Sequence, residues 1–269
     1  MKFLELGFAA GVATVTLNRP EVRNAFSDEV IAEITAVFSE LGERDEVRCI
    51  VLGANGPAFC AGADLNWMKR MAGYGRDENL ADAAALANML RVLYHCAKPT
   101  IARVQGDVYA GGTGLVAACD IAVCVDTAQF CLSEVKLGLI PATISPYVIR
   151  AMGARAAHRY FLTAERFDAA EALRIGFVHQ VVSADQLDAA VAALAGAGAG
   201  RSASREGHQG AGAGHRGQGH HANARRAHGA CDCRGPRQSR RPGRHPGLSR
   251  QAQTGLAVAG VTPWSNSTT

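Results

Sequence analysis

Hydrophobic and polar positions follow two alternating patterns over the first 196 residues. Short runs that alternate strictly or stay apolar throughout predict β-strands at residues 11–18, 48–54, 100–106, 120–125 and 177–182. Longer runs with helical spacing predict helices at residues 28–41, 79–97, 143–153, 154–163, 169–175 and 184–195, and shorter ones from about 64 and about 111. Strands that are regularly followed by helices favour an α/β fold with a mostly parallel sheet.

Charge divides the chain into two populations. Residues 1–196 hold 17 basic and 22 acidic residues, a net charge of −5, whereas residues 197–269 hold 11 arginines and 2 acidic residues, a net charge of +9. With 269 residues of which 48% are hydrophobic, the chain can build a substantial core. We therefore expect a folded domain at 1–196 and a separate tail at 197–269.

Cysteine usage and hydropathy indicate a compartment. Six of the eight cysteines stand singly in apolar segments, which is typical of buried thiols rather than of a disulfide framework. The chain has no run of about 18 apolar residues, and its first residues pass into a strand pattern without the apolar core of a leader. We expect a cytoplasmic protein with no membrane partner.

Two glycine-rich turns stand at predicted helix starts, "CAGAD" around Ala63 and "AGGTG" around Gly111. Unpaired backbone N–H groups at such turns can bind an anion, and a pair directed at one oxygen forms an oxyanion hole. Neither turn fits a dinucleotide fingerprint or a Walker loop. On spacing alone, two structural turns that pack helix on strand remain an equal alternative.

Three motifs together resemble the enoyl-CoA hydratase/isomerase (crotonase) family: "AFCAGADL", "VQGDVYAGGTGLVAACDIAV" and "AQFCLSEVKLGLIP", in this order and spacing. The resemblance extends from about residue 3 to residue 195. It implies a crotonase (ClpP-like) spiral of ββα units, a homotrimer or hexamer, and acyl-CoA thioesters as substrates, with coenzyme A as part of the substrate and no separate cofactor.

The resemblance also assigns roles position by position. The N–H groups of Ala63 and Gly111 would form the oxyanion hole for the thioester oxygen. Residues on the two loops around Ala63 and the "RNA" motif would hold the coenzyme A portion: Arg23, Ala25, Ala61, Ala63, Asp64, Leu65, Asn66 and Gly111.

The family's hydratases carry two catalytic glutamates, of which the second matches Glu134 and the first falls on Gly114. A single glutamate can take a proton from water as the water adds to C3 and return one to C2, which is hydration. It can equally move a proton between C4 and C2, which is isomerisation. Glu134 as a plain surface carboxylate is the third interpretation.

Within the family, three stretches resemble bacterial methylglutaconyl-CoA hydratases and their relatives that act on carboxylated isoprenoid-acid thioesters. These stretches are "GADLNWMKRMAGY", "GGTGLVAACDIA" and "LGLIPATISPYVI". A distal carboxylate needs a cation, for which Lys69, Arg70 and Arg91 are candidates, although each fits a solvated helix face as well. Trp67 and Met68 fit an acyl pocket or core packing equally.

Histidines and scattered cysteines do not predict a metal site. His95, His158 and His179 lie in helix or strand patterns without ligand spacing, and we expect them to be structural.

The tail is unlike the rest of the chain. Residues 197–269 contain 14 Gly, 12 Ala and 11 Arg but four Leu and Val in all, too little apolar surface to offset the entropy of ordering. Codons can be chosen for residues 240–257 so that translation one nucleotide later gives a sequence that resembles the C-terminal end of a crotonase. We infer a frameshift between about Ala193 and Arg205 and expect a disordered tail, and a damaged gene product is one interpretation. An RNA-binding function of the basic tail is an alternative of another class.

Overall fold

The computed structural model describes residues 1–198, which form ten strands and eight helices. The strands are β1 (Leu4–Ala9), β2 (Val12–Leu17), β3 (Cys49–Ala54), β4 (Ala58–Cys60), β5 (Thr100–Val104), β6 (Asp107–Tyr109), β7 (Ile121–Val125), β8 (Gln129–Cys131), β9 (Arg166–Asp168) and β10 (Gln180–Val182). The helices are α1 (Asp28–Glu43), α2 (Leu65–Met71), α3 (Arg76–Tyr94), α4 (Gly111–Ala118), α5 (Ser145–Met152), α6 (Ala154–Thr163), α7 (Ala169–Arg174) and α8 (Leu187–Gly198).

The larger sheet has six strands in the order β1-β2-β3-β5-β7-β10. Its strands are parallel except for the antiparallel pair of β1 and β2. All six residues of β3 are buried, as expected of a strand covered on both faces, whereas β2 alternates between buried and half-buried positions. The mostly parallel sheet predicted from the hydrophobic pattern is confirmed.

A smaller sheet of short strands lies in the order β4-β6-β8-β9. Each of its first three strands follows a strand of the larger sheet and precedes a helix, which gives the units β3-β4-α2, β5-β6-α4 and β7-β8-α5. This repeat is the ββα spiral that the resemblance implied. The hydrophobic pattern did not predict these four short strands, nor β1 of the larger sheet.

Helices cover the sheets and close the core. The apolar positions of α1 recur at helical spacing and are all buried: Val30, Ile31, Ile34, Val37, Phe38 and Leu41. From Gly112 to Ala118, α4 is buried throughout, and its small side chains allow close packing on all sides. The first residue of α4, Gly111, is therefore held by a rigid element.

The bounds of α3 and α8 differ most from the prediction. α3 begins at Arg76 because the Gly75 N–H donates to Glu78 Oε2 at 2.7 Å, and it ends at Tyr94, which leaves four residues before Pro99. α8 continues to Gly198, so the first two positions of the predicted tail end a helix.

Residues 199–269 lie outside the described residues, and with them the inferred frameshift products and the RNA-binding alternative. Within residues 1–198, no helix is both long enough and apolar enough to cross a bilayer.

Candidate active site

Three residues of the predicted site follow the ends of neighbouring strands. β4, β6 and β8 run parallel and side by side in this order. Ala63 follows β4, Gly111 follows β6 and Glu134 follows β8, each within three residues of the strand end. Because parallel strands end at the same edge of a sheet, where α/β proteins commonly bind ligands, the fold brings these residues to one edge.

The Ala63 turn is held by a bridge to the loop that contains Phe26. The Phe26 N–H donates to the Gly62 carbonyl at 2.9 Å, and the Asp64 N–H donates to the Phe26 carbonyl at 3.0 Å. The Gly62 carbonyl and the Asp64 N–H are thereby hydrogen-bonded, whereas the Ala63 N–H has no acceptor within residues 1–198. A fixed, unpaired N–H is a donor available to a ligand oxygen.

The Gly111 turn is fixed from the other side. Gly111 is the first residue of α4, so its N–H has no intrahelical acceptor. Ala110 before it has φ 46° and ψ −124°, a backbone conformation that alanine rarely adopts and that typically costs about 1–3 kcal/mol. The Ala110 N–H donates to the Cys131 carbonyl at 2.8 Å, which ties the strained turn to β8.

The two turns touch. A Cβ added to Gly62 would lie 2.9 Å from Ala110 Cβ and 3.3 Å from the Gly111 nitrogen, and one added to Gly111 would lie 2.5 Å from Phe26 Cζ. Only glycine permits this approach, and Gly62 also has a φ of +86°. The unpaired N–H groups of Ala63 and Gly111 therefore stand on adjacent, rigid segments.

Cys60 joins these segments. Its thiol donates to the Asn24 carbonyl at 3.2 Å and accepts from the Gly62 N–H at 3.4 Å. Burial raises the pKa of Cys60 to about 12, which keeps the thiol protonated and able to donate. The sequence pattern predicted only a buried thiol here, because hydrogen bonds between distant loops leave no periodic signal.

Glu134 carries a carboxyl oxygen without a partner. It begins a 3-10 turn (Glu134–Leu137) directly beyond β8, and its Oε2 is buried with no hydrogen-bond partner in the described part of the chain. Burial raises the pKa of the carboxyl group. An unpaired buried carboxylate is costly to the fold, and it is a good proton acceptor.

The residues expected to hold coenzyme A lie on the two loops that meet at Phe26. The Ala61 N–H donates to the Arg23 carbonyl at 2.9 Å, and the Ala25 carbonyl accepts from the Arg19 guanidinium at 2.7 Å. Arg23 is exposed with a φ of 53°, and Ala25 is buried. Both loops are thus firmly held, and the Arg23 side chain reaches solvent beside them.

Asp64 serves the local structure. Its Oδ1 accepts from the N–H groups of Asn66 at 2.8 Å and Trp67 at 3.4 Å, which caps α2, and its Oδ2 forms an ion pair with Arg19 at 3.0 Å. Burial opposes ionisation, but the bonds from Asn66, Arg19 and Trp67 outweigh it and lower the pKa of Asp64. Within the stretch from Ala63 to Asn66, the N–H groups of Ala63 and Leu65 are the ones without an acceptor in residues 1–198.

The predicted cations lie on the surface of α2 and α3. Arg70 forms an ion pair with Asp28 at 2.6 Å, and Arg91 donates to Asn88 Oδ1 at 2.8 Å. Lys69 is exposed, with no ion pair among the described residues. Trp67 is buried and donates from Nε1 to Asp82 Oδ2 at 3.1 Å, a core contact, whereas Met68 is half-buried.

Neither a metal-ion cluster nor the main cavity of the described residues coincides with Ala63, Gly111 and Glu134. No group of three or more His, Cys, Asp or Glu suited to a metal ion occurs in residues 1–198. The His179 Nδ1 accepts from the Ala122 N–H at 3.1 Å, which is a structural role. A cavity of about 280 Å³ lies beside the end of α4, lined by Val116, Ala117, Arg150 and His179 among others, and neither Ala63, Gly111 nor Glu134 borders it.

Comparison with known proteins gives one consistent family. The family model described as enoyl-CoA hydratase/isomerase matches residues 7–202. The enoyl-CoA hydratase AKT6-1 of Alternaria alternata is 37% identical over 176 residues, which is 64% of this chain and 56% of that protein. The chain thus spans little more than half the length of this relative.

Solved structures agree with the family match. The crystal structure of an enoyl-CoA hydratase from Shewanella pealeana is 47% identical, with a TM-score of 0.71 and coverage of 73% of each chain. That of an enoyl-CoA hydratase from Mycobacterium smegmatis is 34% identical, with a TM-score of 0.70 over 73% of this chain and 76% of the other.

Proposed function

This chain belongs to the enoyl-CoA hydratase/isomerase family, a family of enzymes, and on that premise we propose that it adds water to a 2-enoyl-CoA thioester. The observation that carries the proposal is one edge of the smaller sheet. There the N–H groups of Ala63 and Gly111, which have no acceptor in residues 1–198, lie on touching turns after two of three neighbouring strands. The Glu134 Oε2, which is buried and has no hydrogen-bond partner in the same residues, follows the third strand.

The reaction follows from these groups. The thioester oxygen accepts hydrogen bonds from the Ala63 and Gly111 N–H groups, which stabilise the negative charge that develops on it. The Glu134 carboxylate takes a proton from water while the water oxygen bonds to C3. The resulting enolate receives a proton at C2 from Glu134, which returns to its carboxylate form. One water is consumed, and the protein ends unchanged.

Burial suits Glu134 to this double task. A carboxylate with a raised pKa is a stronger base towards water than an exposed one, and it still returns the proton to a carbon centre. The absence of a hydrogen bond to Oε2 in residues 1–198 leaves that oxygen available for a substrate water.

For the acyl group, we propose 3-methylglutaconyl-CoA, of leucine or isoprenoid-acid breakdown. The support is the local sequence similarity around residues 62–74, 111–122 and 137–149. Of the three candidate cations for a distal carboxylate, Lys69 is the one without an ion pair or a side-chain hydrogen bond in residues 1–198, since Arg70 is engaged by Asp28 and Arg91 by Asn88.

The experiment follows the enoyl-thioester absorbance with crotonyl-CoA and 3-methylglutaconyl-CoA. We expect Glu134→Gln to lower kcat by about 10²- to 10⁴-fold with little change in KM, and the exposed Glu43→Gln to behave as wild type. Retention of wild-type kcat in Glu134→Gln would contradict the role of Glu134.

A second candidate, enoyl-CoA isomerisation, is favoured by one observation. Gly114 offers no second carboxylate, and one carboxylate suffices to move a proton from C4 to C2. Product analysis on two substrates separates the activities. Conversion of a 3-enoyl-CoA to the 2-enoyl-CoA supports the isomerase, whereas a 3-hydroxyacyl product from a 2-enoyl-CoA, with the 3-enoyl-CoA left unchanged, supports the hydratase.

A further inference from the structure

Gly114 lies in α4, the helix that begins with Gly111 of the candidate site. It stands three residues after Gly111, on the same side of the helix and about 4.5 Å further along the axis. Gly114 is buried, and its backbone conformation does not require glycine, because its φ is that of an ordinary helix. The requirement for glycine therefore comes from the side chains that pack against position 114.

Ile144 occupies the space that a side chain at position 114 would need. A Cβ added to Gly114 would lie 2.4 Å from Ile144 Cγ2 and 2.9 Å from Ile144 Cβ, closer than nonbonded carbon atoms approach. On the other side, Leu90 Cδ2 would lie at 3.6 Å, an ordinary contact. A carboxylate side chain at position 114 thus requires Ile144, and not Leu90, to move.

Ile144 has little freedom to move. Its side chain is branched at Cβ and 2% exposed. Rotation about the Cα–Cβ bond does not move Ile144 Cβ, so it would not remove the overlap of this atom with a Cβ at position 114. Its carbonyl accepts from the N–H groups of Tyr147 and Val148, each at 3.1 Å, at the start of α5. The backbone of Ile144 is therefore fixed by the helix that it precedes.

One connection delivers both Glu134 and Ile144. The chain between β8 and α5 contains Glu134, whose Oε2 is buried, and ends at Ile144. Its first part is closed by a hydrogen bond from the Leu139 N–H to the Glu134 carbonyl at 3.1 Å. The same segment thus supplies a charged group and an apolar group next to the strand ends and α4.

We propose that Ile144 is a specificity-determining residue. Seated on Gly114, one helical turn from the Gly111 N–H, it forms an apolar wall of the acyl site beside the reacting carbons, limits the size of acyl groups that fit there, and keeps proton transfer with Glu134 alone. This inference rests on the proposed hydration of 2-enoyl-CoA thioesters.

The packing of the pair is tested by thermal unfolding of the full chain. Gly114→Ala lowers the melting temperature through overlap, Ile144→Ala lowers it through a cavity, and the double variant loses less than the sum of the two. Leu90→Ala is the matched control, since it removes a buried aliphatic side chain that also faces Gly114 but does not overlap it. A Gly114→Ala variant as stable as wild type overturns the proposed contact between Gly114 and Ile144. The same follows if Leu90→Ala offsets the loss of stability in Gly114→Ala as much as Ile144→Ala does.

The specificity role is tested with crotonyl-CoA and a bulkier, branched 2-enoyl-CoA. Ile144→Ala raises the ratio of kcat/KM for the branched over the linear substrate by about tenfold or more, and Leu90→Ala leaves it unchanged. Gly114→Glu combined with Ile144→Ala adds a second ionisation to the pH profile of kcat/KM, because a second carboxylate then fits the site.

The two failures are distinguishable. An active wild type whose Ile144→Ala variant keeps the wild-type ratio overturns the role of Ile144 alone. A wild type that hydrates no 2-enoyl-CoA, while the stability coupling of Gly114 and Ile144 persists, overturns the proposed function and the specificity role with it.

Discussion

At the scale of single residues, the burial that makes Glu134 a better base also lowers the stability of the folded chain when the group is ionised. A carboxyl oxygen that is buried without a partner in residues 1–198 destabilises the folded state whenever the group is ionised. Its pKa is raised by burial, so it lies above that of the unfolded chain. The folded state therefore binds more protons between these two pKa values, and the contribution of Glu134 to stability falls as pH rises through that window.

The first prediction follows from this sign. Glu134→Gln raises the melting temperature relative to wild type above the folded pKa, because it removes an uncompensated charge, and the difference disappears below the unfolded pKa. Over the same range, kcat/KM of wild type rises with pH as the base ionises, and this limb is missing from the residual activity of the variant. Thermal unfolding and initial rates over a pH series measure both, and a variant less stable than wild type at high pH contradicts the assignment.

Cys60 gives the second prediction. Its thiol bonds both Asn24 and Gly62, so it couples the loop at Arg23–Ala25 to the Ala63 turn. We expect Cys60→Ala to lower kcat by about tenfold with little change in KM, since a small displacement of an oxyanion donor is costly. Cys60→Ser, which retains a donor and an acceptor, restores most of the rate.

Cys124→Ala is the control for Cys60. Cys124 is equally buried, in β7 of the larger sheet, and its loss affects stability without a specific effect on kcat. If Cys60→Ala retains the wild-type kcat, or if Cys124→Ala loses as much, Cys60 is only a core residue.

At the scale of elements, five of the six strands of the larger sheet could be predicted from the sequence, whereas β1 and the smaller sheet could not. β3 and β7 are apolar runs of six and five residues, and β5 is mostly apolar, which the hydrophobic pattern detects. β4, β6 and β8 have three residues each, too short for any period, and they are strands because they pair with one another. The candidate site lies at the ends of these short strands, so Ala63, Gly111 and Glu134 could be found from motif similarity and not from pattern.

The cap of α2 gives the third prediction. Asp64→Ala removes the acceptor for two N–H groups and the ion pair with Arg19, and we expect it to lower the free energy of unfolding by about 1–2 kcal/mol. It also loosens the loop from Ala63 to Asn66, so KM for the thioester rises.

Asp168→Ala is the matched control for this cap. Asp168 caps α7 by accepting from the Glu171 N–H at 2.8 Å, at the far edge of the smaller sheet. Its loss costs comparable stability and leaves KM unchanged. Denaturant unfolding and steady-state kinetics on both variants make the comparison, and an equal rise of KM in the two would show that Asp64 acts through general stability.

At the scale of the whole molecule, the two charge populations coincide with the limit of the family match. The match to the family model ends at residue 202, inside the interval from Ala193 to Arg205 where the codon argument places a frameshift. Residues 1–196 carry a net charge of −5 and residues 197–269 a net charge of +9, so electrostatic attraction to nucleic acid is expected of the second part.

The fourth prediction concerns that second part. A chain whose reading frame is restored from about residue 193 onward should hydrate enoyl-CoA faster than the chain as it stands, because family-like sequence then replaces the Arg/Gly/Ala-rich segment. It should also lose salt-sensitive retention on RNA, since the basic segment is gone. Rates on crotonyl-CoA and RNA binding at two salt concentrations compare the two chains directly. Equal rates together with a gene that encodes residues 197–269 in one uninterrupted frame would refute the frameshift and make the basic segment a part of the native protein, with RNA binding as its function to test next.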